Sequence, residues 1–192
     1  MELIREHKEV VILYATGLFL LIVSFFIDHS FFNYIEANQS PILVYILEWT
    51  AYGLLLAFIL LIVTSIIMWE ERKKDWIIPS WVAFVGVLTI TLLLKIIVAR
   101  ERPIEAITTG LSKYSFPGTD IAICFSMIAI INKAYPKLKW LWIIFTILIV
   151  ISKLYLGMHY LSDAVAGALI GFTIGIGIVH IKKKYNLFGA SV

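Results

Sequence analysis

Six apolar runs, at residues 10–27, 49–69, 76–94, 121–132, 140–152 and 164–181, dictate the solvent this chain must fold in. A helix that crosses a bilayer takes about 20 mostly apolar residues. The first three runs hold no charged side chain, and the sixth is interrupted mainly by glycines, which membrane helices accept. With 61% hydrophobic and 15% charged residues, the sequence reads as an all-α membrane protein. The expected architecture is a six-transmembrane-helix bundle with a short extracytoplasmic interfacial helix, forming one domain over residues 1–192. The fourth and fifth runs are short and must continue into the polar residues beyond them. That places Asp120 at one end of the fourth helix, and Lys153 and His159 at the end of the fifth.

The stretch before residue 10 is diluted by Glu2, Glu6 and Glu9 and reads as part of a first anchor rather than as a cleavable signal. Residues 28–48 carry Asp28, His29, Asn33, Glu36, Asn38, Gln39 and Pro41 but no Lys or Arg, and read as the interfacial connection. Orientation follows from the basic residues. Arg5 and Lys8, Arg72 to Lys74, Lys133, Lys137 and Lys139, and Lys182 to Lys184 all fall at one end of the bundle. These are eleven of the 16 Lys and Arg, which makes that end cytoplasmic, together with both termini.

The other five are Lys95, Arg100, Arg102, Lys113 and Lys153, and they gather on the opposite side. An ionisable group in hydrocarbon costs roughly 2.5 to 3.5 kcal/mol on insertion scales. An anionic ligand is the simplest reason to keep such charges where topology disfavours them. The net charge of +3 is small and its basic residues are scattered, so nucleic acid is not an expected partner. The single cysteine, Cys124, excludes an intramolecular disulfide and sits among apolar neighbours. Trp49, Trp69, Trp76 and Trp140 fall near helix ends as an interfacial belt. His7, His29 and His180 read as interfacial or solvated. Glu101 and Glu105 read as counter-charges to Arg100 and Lys113, which serve either a supporting role at the site or attraction to anionic head groups. Gly167, Gly171, Gly175 and Gly177 form a small-residue stripe expected to pack inside a monomer, with dimerisation the lesser option.

Three segments carry a resemblance. Lys95 to Pro103 reads K-x6-R-P, Tyr114 to Asp120 reads Y-S-F-P-G-T-D, and Ser152 to Asp163 reads S-K-x5-H-x3-D. In order and spacing the chain resembles the type 2 phosphatidic acid phosphatase superfamily, over its last three helices and their loops. That resemblance implies an integral membrane lipid phosphatase with a phosphohistidine intermediate. His159 would be the nucleophile and Asp163, four residues on, would orient its ring. Lys95, Arg102 and Lys153 would hold the phosphoryl oxygens, because charge spread over those oxygens calls for several fixed cationic donors. Arg102 would grip as a planar fork. Gly118 and Thr119, at the start of the fourth helix, would offer loop nitrogens to a third oxygen. No metal and no cofactor is implied, since cationic side chains take the part a metal would play.

Two departures from the family pattern stand out. Pro117 to Asp120 replaces the usual P-S-G-H, and Lys153 replaces the usual arginine. Lysine keeps the charge but loses the bidentate grip. The family's histidine at the position of Asp120 protonates the departing oxygen, which an ionised carboxylate cannot do. Asp120 is therefore a general acid held protonated, or it faces a substrate needing little acid help, or it marks a weakened, lipid-phosphate-binding relative. A diphosphate expels a stable phosphate monoester, so the expected reaction is hydrolysis of a polyprenyl diphosphate, of undecaprenyl or dolichyl type, to the monophosphate. Phosphatidic acid or phosphatidylglycerol phosphate hydrolysis is the alternative, and a non-catalytic lipid-phosphate binder or transporter is the alternative of another class. The expected setting is the cell membrane, multi-pass, with the site on the extracytoplasmic face and the lipid bilayer as partner.

Overall fold

The computed structural model describes residues 2–104 and 113–185, with the side chains of all but 2–9 and 51. Glu105 lies outside the described residues, as do the side chains of Arg5, His7 and Lys8. Among the described residues seven α-helices follow one another: α1 (Glu2–Ala37), α2 (Pro41–Leu47), α3 (Gly53–Glu70), α4 (Ile77–Val98), α5 (Thr119–Ala134), α6 (Lys139–Tyr155) and α7 (Leu161–Tyr185). Among the described residues there is no β-strand, only an isolated antiparallel bridge between Glu101 and Tyr114. Each apolar run thus became a helix. Five of them are long and apolar enough to cross a membrane, and α5 is not. Its 16 residues rise about 24 Å at 1.5 Å per residue, short of the roughly 30 Å of a hydrocarbon core.

Short as it is, α5 is the axis of the bundle. It is buried nearly from end to end, against α7 above all and also α3, α4 and α6. The glycine stripe makes the main contact. A Cβ on Gly167, Gly171 or Gly175 would come within 2.6, 2.1 and 2.6 Å of the backbone oxygens of Gly118, Ala122 and Ser126. Only residues without side chains let the two backbones approach so closely. Gly177 has nothing within 4 Å and takes no part in that seam, contrary to expectation. Beside the seam, Ala57 and Leu61 of α3, Phe84 and Val87 of α4, Met127 and Ile131 of α5, and Trp142 of α6 form the buried core. The Trp142 indole N–H donates to Thr64 Oγ1 at 3.1 Å, which satisfies the one polar atom that this large side chain brings inside.

The connection expected over 28–48 is organised differently. α1 continues to Ala37, so Asp28, His29 and Asn33 extend a spanning helix instead of lying in a surface segment. Asp28 finds partners from α7 and from the loop after α4, so its polarity does not break the helix. The chain turns only at 38–40, where Pro41 forces Ser40 into an extended conformation (ψ 125°) and then opens α2 at its first turn. Gln39 Nε2 donates to the Tyr155 carbonyl at 2.7 Å, and the Ser40 N–H to the Tyr155 hydroxyl at 2.7 Å, tying this corner to the end of α6.

The helix directions sort the chain into two ends. The end of α3, the start of α4, the α5–α6 turn and the end of α7 share one of them, with the basic residues 72–74, 133–139 and 182–184. There Lys182 pairs with Asp75 at 2.9 Å and lies over the Trp76 ring. The opposite end collects the end of α4, the starts of α3, α5 and α7, and the end of α6.

Candidate active site

At that second end, the termini of α4, α5, α6 and α7 and the loops beside them deliver the polar side chains. Lys95, one turn from the end of α4, is buried, and its ammonium donates to the carbonyls of Tyr114 and Ser115 at 2.7 and 3.2 Å. An ammonium has three donors, so Lys95 fixes the Y-S-F-P-G loop with part of its capacity. α4 stops because Ala99 adopts a left-handed conformation (φ 48°). The chain beyond it runs beside residues 113–115, through Ser115 N–H to the Arg100 carbonyl at 2.7 Å and the exposed ion pair of Lys113 with Glu101 at 2.5 Å. Arg102 reaches across to the loop between α6 and α7, donating from Nη1 to the Met158 carbonyl at 2.6 Å. Burial pulls the Arg102 guanidinium below its ordinary pKa, which starts far above neutrality, so the group stays a cation.

The Phe116–Pro117 peptide is cis, and Gly118 then opens α5. The Gly118 N–H donates to the Asp163 carbonyl at 3.1 Å. That nitrogen serves the α5–α7 seam and is not free for an anion. Asp120 is buried and pairs with Lys153 of α6 at 2.8 Å. His159, in the loop before α7, stands between two carboxylates: Nδ1 lies 3.6 Å from Asp163 Oδ2 and Nε2 lies 3.6 Å from Asp120 Oδ1. Both distances exceed a hydrogen bond. Thr119 Oγ1, Ser152 Oγ and His159 Nδ1 are buried polar atoms without a hydrogen-bond partner, and all three belong to segments that build this cluster. Buried polar atoms are nearly always paired, so these three orphans set the segments that build the cluster apart from the rest of the bundle.

Lys95, Arg102, Gly118, Thr119, Asp120, Lys153, His159 and Asp163 therefore all belong to the loops and helix termini of this one end.

Three further residues join the site: Asp28 and Gly53, which the sequence did not place there, and Arg100, for which a supporting role is one of two readings. Asp28 accepts from the Ser162 N–H at 2.9 Å, the Ser162 hydroxyl at 2.5 Å and Arg100 Nη2 at 2.8 Å. Arg100 Nη1 also donates to Ser162 Oγ at 2.6 Å and Asp163 Oδ1 at 3.1 Å, and its guanidinium stacks 4.0 Å from the Tyr160 ring centre. Burial raises the pKa of the Tyr160 phenol. The head-group role weighed for Arg100 gives way to this internal one. Gly53, first residue of α3, lies against the Asp120–Lys153 pair, where a Cβ would come 2.7 Å from Asp120 Oδ2. An aspartate ending an apolar run was the available signal for Asp28, whereas nothing in the local sequence marks Gly53.

Comparisons with known proteins give the family and the fold. The profile of the PAP2 superfamily matches residues 75–187. Over 72 residues the chain is 31% identical to the bacitracin transport permease protein BcrC of Bacillus licheniformis, a stretch covering 38% of this chain and 36% of that protein. The match thus spans about a third of that relative's length. Among solved structures, the fold is similar to a transmembrane PAP2-type phosphatidylglycerolphosphate phosphatase from Bacillus subtilis, with a TM-score of 0.68 and 21% identity over 90% of this chain and 96% of that one. It is also similar to Aquifex aeolicus LpxE, with a TM-score of 0.64 and 23% identity over 80% and 95% of the two chains. At these identities the likeness is one of fold.

Proposed function

The chain belongs to the PAP2 superfamily of membrane lipid phosphatases, and from that premise we propose that it hydrolyses a polyprenyl diphosphate to the monophosphate and orthophosphate at this cluster. The observation that carries the reading is the convergence of Lys95, Arg102, Lys153, His159 and Asp163 on one end of the bundle.

In the proposed reaction His159 Nε2 attacks the terminal phosphorus, and the bond from that phosphorus to the bridging oxygen breaks. The lipid monophosphate departs with the bonding pair. Asp163 steadies Nδ1, a contact of 3.6 Å that tightens as the ring becomes cationic. Lys95, Arg102 and Lys153 hold the oxygens on which charge accumulates. Water then attacks the phosphohistidine, releasing orthophosphate and the free ring. No metal takes part in this scheme.

Asp120 supports the choice of a diphosphate. Paired at 2.8 Å with an ammonium, it stands as a carboxylate with no proton to give a leaving oxygen. A diphosphate expels a group that is already a stable anion, so the chemistry there proceeds with little acid help. The same carboxylate faces the attacking nitrogen, and this favours a second reading, a lipid-phosphate binder or transporter without turnover. The name of the Bacillus licheniformis relative, a transport permease protein, points the same way.

Eleven Lys and Arg at the opposite end support a cytoplasmic assignment for that end and an extracytoplasmic one for the site. α5 completes six spans in this arrangement, short because its neighbours shield it from lipid.

Phosphate release from the purified protein in detergent with a chelator present tests the reading. Polyprenyl diphosphate should be hydrolysed faster than phosphatidic acid or phosphatidylglycerol phosphate, and His159→Ala should abolish release. Preference for a monoester would refute the diphosphate assignment. Binding without release on any of the three would favour the non-catalytic lipid-phosphate binder or transporter instead.

A further inference from the structure

A carboxylate on a lipid-facing helix needs a reason. Asp28 is 1% exposed on α1, while Phe26 beside it is exposed and Phe25, half-exposed, packs on Phe116 and under the Arg100 guanidinium. Its three acceptor contacts converge on Ser162 and Arg100, which are the residue before Asp163 and the cation bound to Asp163. Asp163 is held at both oxygens, and the Asp28 network reaches it at one of them. Oδ1 accepts from Arg100, while Oδ2 accepts from the Tyr160 N–H at 2.8 Å and faces His159 Nδ1. Asp28 lies outside the region matched by the family profile.

We propose that Asp28 and Arg100 are positioning residues for the phosphoryl-transfer step, through which α1 fixes the carboxylate that orients His159. This rests on the reading of His159 as nucleophile. The geometry requires a planar fork. One guanidinium meets Asp28 through Nη2 and both Ser162 and Asp163 through Nη1, and a lysine's single nitrogen cannot reach all three in these directions. Loss of a group that orients a reacting side chain's partner typically costs ten- to a hundredfold in activity at metal sites, and a comparable loss applies here by analogy. A simple staple between α1 and α7 would make a different prediction, since it would change only how much protein is folded.

Charge separates the two cases. His159 also faces Asp120 of α5, itself paired with Lys153 of α6, and these stay the same in every variant below. Asp28→Asn removes a negative charge from the network and Arg100→Gln removes a positive one. If the network acts on the His159–Asp163 pair, the acid limb of the pH–rate profile moves to lower pH in Asp28→Asn and to higher pH in Arg100→Gln. Each shift should be of the order of half a unit or more. Arg100→Lys keeps the charge and loses the fork, so its kcat falls about tenfold or more with the limb unmoved. KM for the lipid substrate should change less than about threefold in all three, because none of these residues touches the phosphoryl oxygens.

The experiment is the pH dependence of phosphate release from polyprenyl diphosphate by wild type, the three variants and His159→Ala, each as full-length protein in detergent. Limbs that coincide, or that move in the same direction for Asp28→Asn and Arg100→Gln, would overturn the proposal. If Asp28→Asn fails to fold, the contrast between Arg100→Gln and Arg100→Lys decides, because only the former should shift. Turnover surviving in His159→Ala would overturn the nucleophile assignment and the proposal with it. An inactive His159→Ala with unshifted limbs would remove the positioning role alone.

Discussion

Asp120→Asn should tighten the binding of orthophosphate while weakening the unliganded protein. Asp120 and Lys153 are both buried, 2.8 Å apart, and Asp120 also faces His159 Nε2, where the proposed reaction brings the phosphorus. An entering phosphate replaces the carboxylate as the partner of Lys153, so the lysine loses little. Asp120 is left beside a new anion. For unit charges about 4 Å apart at an effective dielectric constant near 20, that repulsion is about 4 kcal/mol. Relaxation and residual water reduce it, and a third to two-thirds of the gross figure corresponds to about a ten- to hundredfold change in Kd. The asparagine removes this term and keeps the shape. Without phosphate, however, it removes the carboxylate charge that faces the buried Lys153 ammonium, a loss of up to about 3 to 5 kcal/mol in comparable cases. Thermal unfolding in detergent across an orthophosphate titration reads both effects. The variant should melt lower than wild type without phosphate and should recover at phosphate concentrations that barely move the wild type. Equal or weaker phosphate affinity in Asp120→Asn would show that the carboxylate does not compete for the phosphate position, and the reasoning would fail.

Asp163→Asn should lose phosphate release severely, because an amide does not stabilise the imidazolium; near-wild-type initial rates would remove it from that role. Asp120→His should raise turnover of phosphatidic acid more than that of polyprenyl diphosphate, since it supplies a proton donor suited to neutral pH; equal effects on both would sink the leaving-group argument. Gly171→Ala places a Cβ 2.1 Å from the Ala122 carbonyl oxygen and should cost about 1 to 3 kcal/mol of stability or more, whereas Gly177→Ala, with open space around it, should be neutral in the same melting assay. A cysteine at Lys113 should react with a membrane-impermeant thiol reagent in intact cells and one at Lys137 should not, against a single native cysteine that is buried; the reverse pattern would invert the topology.

What the sequence made legible was what local composition encodes. Apolar runs became helices at nearly the expected places because a bilayer demands that each segment satisfy its own backbone. The motif residues met at one end because motif order and helix alternation together leave them no other. Where the reading fell short, the missing information was a pairing between distant segments. Arg100 could be set apart as a cation on the unexpected side, but its partner Asp28 is 72 residues away, in a stretch whose polarity reads as the end of a helix until that partner is known. Pairing reverses the meaning of the residue: an ionisable group that would end a span becomes one that the span carries inward.

The glycine stripe shows the same limit from the other side. Spacing of four at Gly167, Gly171 and Gly175 announces a close helix contact, and the structure supplies the partner, the backbone of α5. Gly177 lies two positions beyond Gly175, about 200° around a helix of 3.6 residues per turn, so helical geometry alone removes it from that face. The consequence reaches the site. Because Gly167 sits against the Gly118 carbonyl and the Gly118 N–H bonds to the Asp163 carbonyl, the seam sets the first turn of α5 against the first turn of α7. The distance from Asp120 to His159 is thus governed by residues that have no side chains of their own to do chemistry.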